Sequence, residues 1–123
     1  MDYLTDRKRV GGLGSAKEGT HHFWSMTVSS VGLLVLVPLF VFTFAPMLGA
    51  PHAEVVAHFA RPFPAIVAAL TLVVGFVHFR GGVQVMIEDY TSGFTRKALV
   101  IAMICVSYGA AGVAVFAVAR LAL

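Results

Sequence analysis

Soluble globular proteins are charged at about a quarter of their positions. This 123-residue sequence is charged at 12%, with six Asp or Glu and nine Lys or Arg. So little charge excludes a surface solvated on all sides. Cysteine is scarcer still, since Cys105 stands alone, and that excludes an intrachain disulfide and any multi-cysteine metal site. Lying within an apolar run, it reads as a small hydrophobe. The net charge is +3 and the isoelectric point about 9.4, yet the basic residues are scattered around apolar spans instead of sharing one face, which argues against nucleic-acid binding. There is no internal repeat, low-complexity segment, hydrolase triad, phosphate loop or carboxylate pair for acid-base hydrolysis. A polar stretch from Met1 to Thr20, carrying Asp2 and Asp6, is unlike an ordinary signal peptide or a transit peptide, so the first apolar segment is expected to stay in the mature protein.

What is abundant is apolar surface. Hydrophobic residues make up 59% of the chain and the mean hydropathy is +0.87, more than a core of this size can bury. The bilayer or partner helices must take the remainder. Val28 to Leu48 contains no charge, and at 1.5 Å per residue it covers roughly the 30 Å of bilayer hydrocarbon; Pro38 is a candidate kink in it. The segment PMLGAPHAEVVAHFARPFP reads as a connection outside the hydrocarbon, with a short helical turn near Glu54 to His58. A second span, Pro64 to Ile87, is interrupted only by His78, Arg80 and Gln84, and a third, Ala98 to Ala119, carries no charge. The expected fold is an all-α membrane protein of three transmembrane helices (24–48, 64–87 and 98–119) in one membrane-anchor domain, 1–123. The segment 88–97, EDYTSGFTRK, is the expected connection between the last two. Three helices of this length cannot enclose a large site, which predicts membership of a multi-subunit helical bundle.

Lys and Arg favour the cytoplasmic side of a membrane. Arg7, Lys8, Arg9 and Lys17 precede the first span and Arg96 and Lys97 lie between the last two, six in all, against Arg61 and Arg120 on the other side. This balance predicts a cytoplasmic N-terminal segment, 1–23, and a cytoplasmic 88–97 connection.

His78 lies about ten residues from the cytoplasmic end of the second span, roughly 15 Å deep. In a soluble core a lone histidine is usually structural, but an ionisable group at mid-membrane is a functional candidate. Neutral imidazole suits the axial position of haem iron, with the second ring nitrogen donating a hydrogen bond that fixes the tautomer. One histidine leaves the other axial position to another chain. Gly75 and Gly82, at i−3 and i+4, would let a flat macrocycle or simply a neighbouring helix come close. Arg80 points away from that face and either snorkels to the interface or reaches a buried carboxylate such as a haem propionate.

Asp89 follows His78 by eleven residues, about three turns and 16 Å nearer the cytoplasm on the same face if the helix persists. Tyr90 stands beside it. Taken singly, the tyrosine is an aromatic-belt residue and the Glu88–Asp89 pair a solvated loop; together they offer a phenolic donor and a carboxylate where a quinone headgroup would sit. His21 and His22 precede Phe23 and Trp24 at the cytoplasmic start of the first span, with Trp24 an interfacial anchor. Ser25, Ser29, Ser30 and Gly32 give that helix a small, weakly polar surface.

The run HFRGGVQVMIEDY, His78 to Tyr90, resembles the small hydrophobic anchor subunit of succinate dehydrogenase, respiratory complex II, and GSAKEGTHHFW, Gly14 to Trp24, resembles its bacterial form. Together they cover about a fifth of the chain. The resemblance implies a bacterial inner-membrane subunit of succinate-to-quinone electron transport in the tricarboxylic acid cycle, with the large cytochrome b anchor, the iron-sulfur subunit and the flavoprotein as partners. It implies that His78 is one axial ligand of a haem b shared with the large anchor, that Asp89 and Tyr90 belong to the ubiquinone site, and that His21 lies near the propionate side. Many relatives carry arginine where Thr27 stands here, a departure at the propionate or quinone side. Such a chain has no active site alone. Fumarate reductases share the architecture, so the same residues would serve the equivalent anchor there. Two other classes compete: a cofactor-free structural or assembly subunit, in which His78 only bonds a neighbouring helix, and a small transporter gated by His78.

Overall fold

A computed structural model describes residues 3–14 and 19–123; Met1, Asp2 and residues 15–18, and with them Lys17 of the topology argument, lie outside the described residues. Among the described residues all regular structure is helical: α1 (Asp6–Gly11), α2 (Gly19–Phe44) closed by a 3-10 turn (Ala45–Met47), α3 (His52–Phe59), α4 (Pro62–Tyr90) and α5 (Gly93–Ala122). Thr5 caps α1 by accepting from the Lys8 backbone N–H at 3.3 Å.

Three segments are long and apolar enough to cross a membrane: Gly19–Met47, Pro62–Tyr90 and Gly93–Ala122, of 29, 29 and 30 residues. At 1.5 Å per residue each is about 45 Å long, the thickness of hydrocarbon plus both headgroup layers. This is why the helices outrun the charge-free spans. The expected 88–97 connection is consequently mostly helix: Glu88, Asp89 and Tyr90 form the last turn of α4, residues 93–97 open α5, and only Thr91 and Ser92 are extended. Gly93 permits the sharp reversal by adopting φ +60°, a conformation costly for any residue with a Cβ. The Arg96 Nε–H then donates to the Thr91 carbonyl at 2.7 Å, tying the two helix ends together. The helical turn expected near Glu54 to His58 is the two-turn helix α3, and α2 runs unbroken through Pro38.

α4 is the central helix, packed on one side by α2 and on the other by α5. The α2–α4 seam is antiparallel and in strict register. Met26 meets Gly81, Ser29 meets His78 three residues on and three back, and Leu36 meets Thr71 seven further on and seven further back. A spacing of three and seven keeps one stripe of each helix at the contact. Gly81 is the close-approach point, because a Cβ there would run into the Met26 side chain. Hydroxyls along α2 donate to the preceding turn, Thr27 to the Phe23 carbonyl at 2.9 Å and Ser30 to that of Met26 at 2.8 Å, so few polar hydrogens face lipid.

Burial is concentrated at one end. Pro64, Ala65, Val67, Ala68 and Thr71 of α4, with Phe59 of α3, form the packed region, whereas α2 and α5 each bury only a serine, Ser29 and Ser107. Small residues at these positions let backbones approach, and in lipid it is that packing and the few interhelical hydrogen bonds, about 0.6 kcal/mol each, that hold helices together. Large side chains such as Phe42, Phe94 and Phe116 are left outside.

A polar cavity and a paired histidine at one end of the bundle

The antiparallel register brings the start of α2, the end of α4 and the start of α5 to the same end. There a cavity of about 540 Å³ is lined by His21, His22 and Ser25 of α2 and by Arg80, Gln84 and Glu88 of α4. Positions 80, 84 and 88 recur every fourth residue and so share one face. They form a chain: an Arg80 Nη2–H donates to Gln84 Oε1 at 3.4 Å, and Gln84 Nε2–H to Glu88 Oε1 at 2.9 Å. On its other edge Arg80 donates from Nη1 to the Tyr108 hydroxyl of α5 at 2.9 Å, with its guanidinium carbon 5.6 Å from the ring centre. Among the described residues no acid pairs with Arg80 directly, and Glu88 is reached only through Gln84.

Two buried nitrogens of this cavity's lining, Arg80 Nε and His22 Nε2, have no hydrogen-bond partner among the described residues. A buried guanidinium N–H without an acceptor is costly, and an incoming oxygen acceptor would relieve that cost. A carboxylate fits that donor set. Thr27, at the position where an arginine was expected, spends its hydroxyl on its own helix, and the cation lining the cavity is Arg80 of α4.

His78 is held apart from the cavity, on the α2–α4 seam. Its Nδ1 lies 2.9 Å from Ser29 Oγ, and Ser29 is buried. A serine hydroxyl has one hydrogen, and the Ser25 and Met26 carbonyls lie 2.8 and 3.0 Å from this Oγ. With that hydrogen on the carbonyls, Oγ accepts from Nδ1–H, which leaves a lone pair on Nε2. Nε2 makes no hydrogen bond among the described residues. An imidazole with Nδ1–H engaged and Nε2 free has the form of a metal ligand with its orienting partner. No cluster of three or more His, Cys, Asp or Glu that could hold a metal ion occurs among the described residues, so His78 would offer one ligand only.

Of the two glycines expected beside His78, neither serves the α2 contact. A Cβ on Gly75 would meet nothing within 4 Å, and one on Gly82 only Met26 Cε at 4.0 Å. Gly75 instead opens a surface groove of about 260 Å³ between Leu72, Phe76 and Phe79. That face is free for something outside this chain.

α4 persists through Tyr90, so His78 and Asp89 do share a helical face. Asp89 and Tyr90 are not drawn into the cavity; both are exposed, Tyr90 at 86%. The acid that lines the cavity is the other member of the pair, Glu88. His21 and Arg80, each considered for the propionate side, line the same cavity, and three partners were not anticipated from the sequence: Ser29 for His78, Tyr108 for Arg80, and the Gln84–Glu88 tether. The four-residue recurrence of 80, 84 and 88 was a readable signal; the cross-helix pairs required the register.

Fold and site together define a three-helix membrane protein with a histidine held on its α2–α4 seam and a polar cavity at one end. The chain belongs to the family described as succinate dehydrogenase/fumarate reductase transmembrane subunit, whose profile matches residues 1–119. It is 48% identical to the succinate dehydrogenase hydrophobic membrane anchor subunit of Paracoccus denitrificans over 123 residues, 100% of this chain and 95% of that one. Proteins of the same description from Rickettsia conorii and Rickettsia bellii are each 29% identical, the first over 92 residues (74% of this chain, 73% of the relative) and the second over 106 (83% and 82%). No solved structure matches it significantly.

Proposed function

We propose that this chain is the small membrane anchor of a succinate:quinone oxidoreductase, and that it supplies one axial ligand of a haem b and part of the ubiquinone site. The observation that carries the reading is His78, whose Nδ1 is engaged by Ser29 and whose Nε2 is free, at the centre of a membrane-crossing helix. His78 would hold the iron through Nε2, with the second axial ligand from the large cytochrome b subunit. Arg80, with His21 and His22 beside it, would receive a propionate. When bound, the haem supplies a one-electron redox centre in the membrane. The open face at Gly75 leaves room for a macrocycle or the partner helix.

Asp89 and Tyr90, exposed on the last turn of α4, would meet the quinone together with the large anchor and the iron-sulfur subunit. Reduction of a quinone to quinol takes two electrons and two protons. The electrons would come from succinate through the flavoprotein and iron-sulfur subunits and the protons from the cytoplasm. Tyr90 donates a hydrogen bond to a quinone carbonyl, which strengthens as negative charge develops on that oxygen. Asp89 keeps the site polar and assists proton delivery. The excess of Lys and Arg on the N-terminal side supports a cytoplasmic N-terminus in a bacterial inner membrane.

The test is a reduced-minus-oxidised visible spectrum of the complex that co-purifies with this chain. A b-type haem band, with succinate-dependent quinone reduction, is expected. A complex without haem would favour a purely structural anchor.

A further inference from the structure

We propose that Tyr108 is a positioning residue that clamps Arg80 and so sets the charge felt by the group bound at the His21, His22 and Arg80 cavity; the inference rests on the haem reading above. Tyr108 lies fifteen residues into α5 from Gly93, about 22 Å along the helix, too deep for an aromatic-belt anchor. Its hydroxyl accepts from Arg80 Nη1 at 2.9 Å and its ring lies 5.6 Å from the guanidinium carbon. Gln84, itself tethered to Glu88, holds Nη2. A free arginine side chain carries about 2 kcal/mol of rotamer entropy; fixed at both terminal nitrogens, this one has lost most of that freedom before any ligand arrives. What remains unengaged is the buried Nε–H. Tyr108 and Gln84 are neutral, so the clamp orients the positive charge without cancelling it.

A cation held near a haem disfavours the ferric form, which carries one more positive charge, and thereby raises the midpoint potential. Loosening the cation lowers it. The experiment is spectroelectrochemical titration of the haem in the assembled complex carrying Tyr108→Phe, Arg80→Gln or both. Tyr108→Phe keeps the ring and removes the acceptor. It is expected to shift the ferric-to-ferrous equilibrium about threefold toward ferric, roughly 28 mV at 59 mV per tenfold change for one electron. Arg80→Gln should lower the potential further, and Tyr108→Phe should add nothing in that background. Tyr108→Gln, which retains an acceptor but no ring, gives an independent reading: a potential near wild type supports the hydrogen bond as the clamp, and a fall as large as that of Arg80→Gln overturns it. If Arg80→Gln lowers the potential while Tyr108→Phe leaves it unchanged, or if Tyr108→Phe acts equally in both backgrounds, the proposal fails and the haem reading stands. If neither variant moves the potential, the placing of a propionate at Arg80 fails with the proposal; if the complex holds no haem, the haem reading itself fails.

Discussion

The two ends of α4 are built on opposite plans. From Pro64 to Thr71 it is apolar, small-sided and buried. From His78 to Tyr90 it carries a histidine, an arginine, a glutamine and two acids, and buries only Ile87. The first end gains its stability from contacts within the chain. The second leaves His78 Nε2 without a hydrogen bond, Arg80 with no acid paired to it and Tyr90 exposed, all among the described residues. Under the proposed function this contrast makes the helix an anchor at one end and a half-site at the other, so mutations should separate into those that loosen the bundle and those that alter electron transfer.

The largest effect on stability is expected at the packed end. Ala68 is 3% exposed, and Ala68→Leu should cost about 1–3 kcal/mol through overpacking, seen as a lower Tm of the solubilised complex with the haem spectrum unchanged in form. An unaltered Tm would mean this end is not the anchor. At the open end Tyr90→Phe keeps the ring and loses the donor. It should leave Tm, haem and dye-linked succinate oxidation intact while quinone reduction falls about tenfold or more, the equivalent of about 1.4 kcal/mol. Wild-type quinone kinetics would return Tyr90 to an interfacial role. Ser29→Ala sits at the boundary between the plans and should cost the least, about 0.6 kcal/mol for one interhelical hydrogen bond, read as slightly easier thermal loss of haem. Equal haem retention would show that Ser29 does not orient His78.

Much of this was legible in the sequence. Runs without charge marked the three helices because nothing else explains twenty apolar residues in succession, and His78 and Arg80 stood out as interruptions of such a run. The ends were not legible: Glu88 to Tyr90 and residues 93–97 are polar, and polarity marks where lipid stops, not where helix hydrogen bonding stops. The roles of Ser29 and Tyr108 were hidden for another reason. Each depends on which residue faces it across a seam, and that register is set by the Gly81–Met26 contact and the two-residue turn at Thr91–Ser92, neither of which composition or hydropathy reveals. For the same reason the sequence does not single out Gly81 as the close-approach point, while Gly75 and Gly82 read as admitting either a macrocycle or a neighbouring helix.

The central claim, that the open end completes its half-site through the free nitrogen of His78, is tested most directly by the reduced-minus-oxidised spectrum of the assembled complex carrying His78→Leu. The account predicts that the b-type band is lost or displaced while the complex still oxidises succinate with artificial dyes. A mutant complex with wild-type haem content and an unchanged spectrum would contradict it.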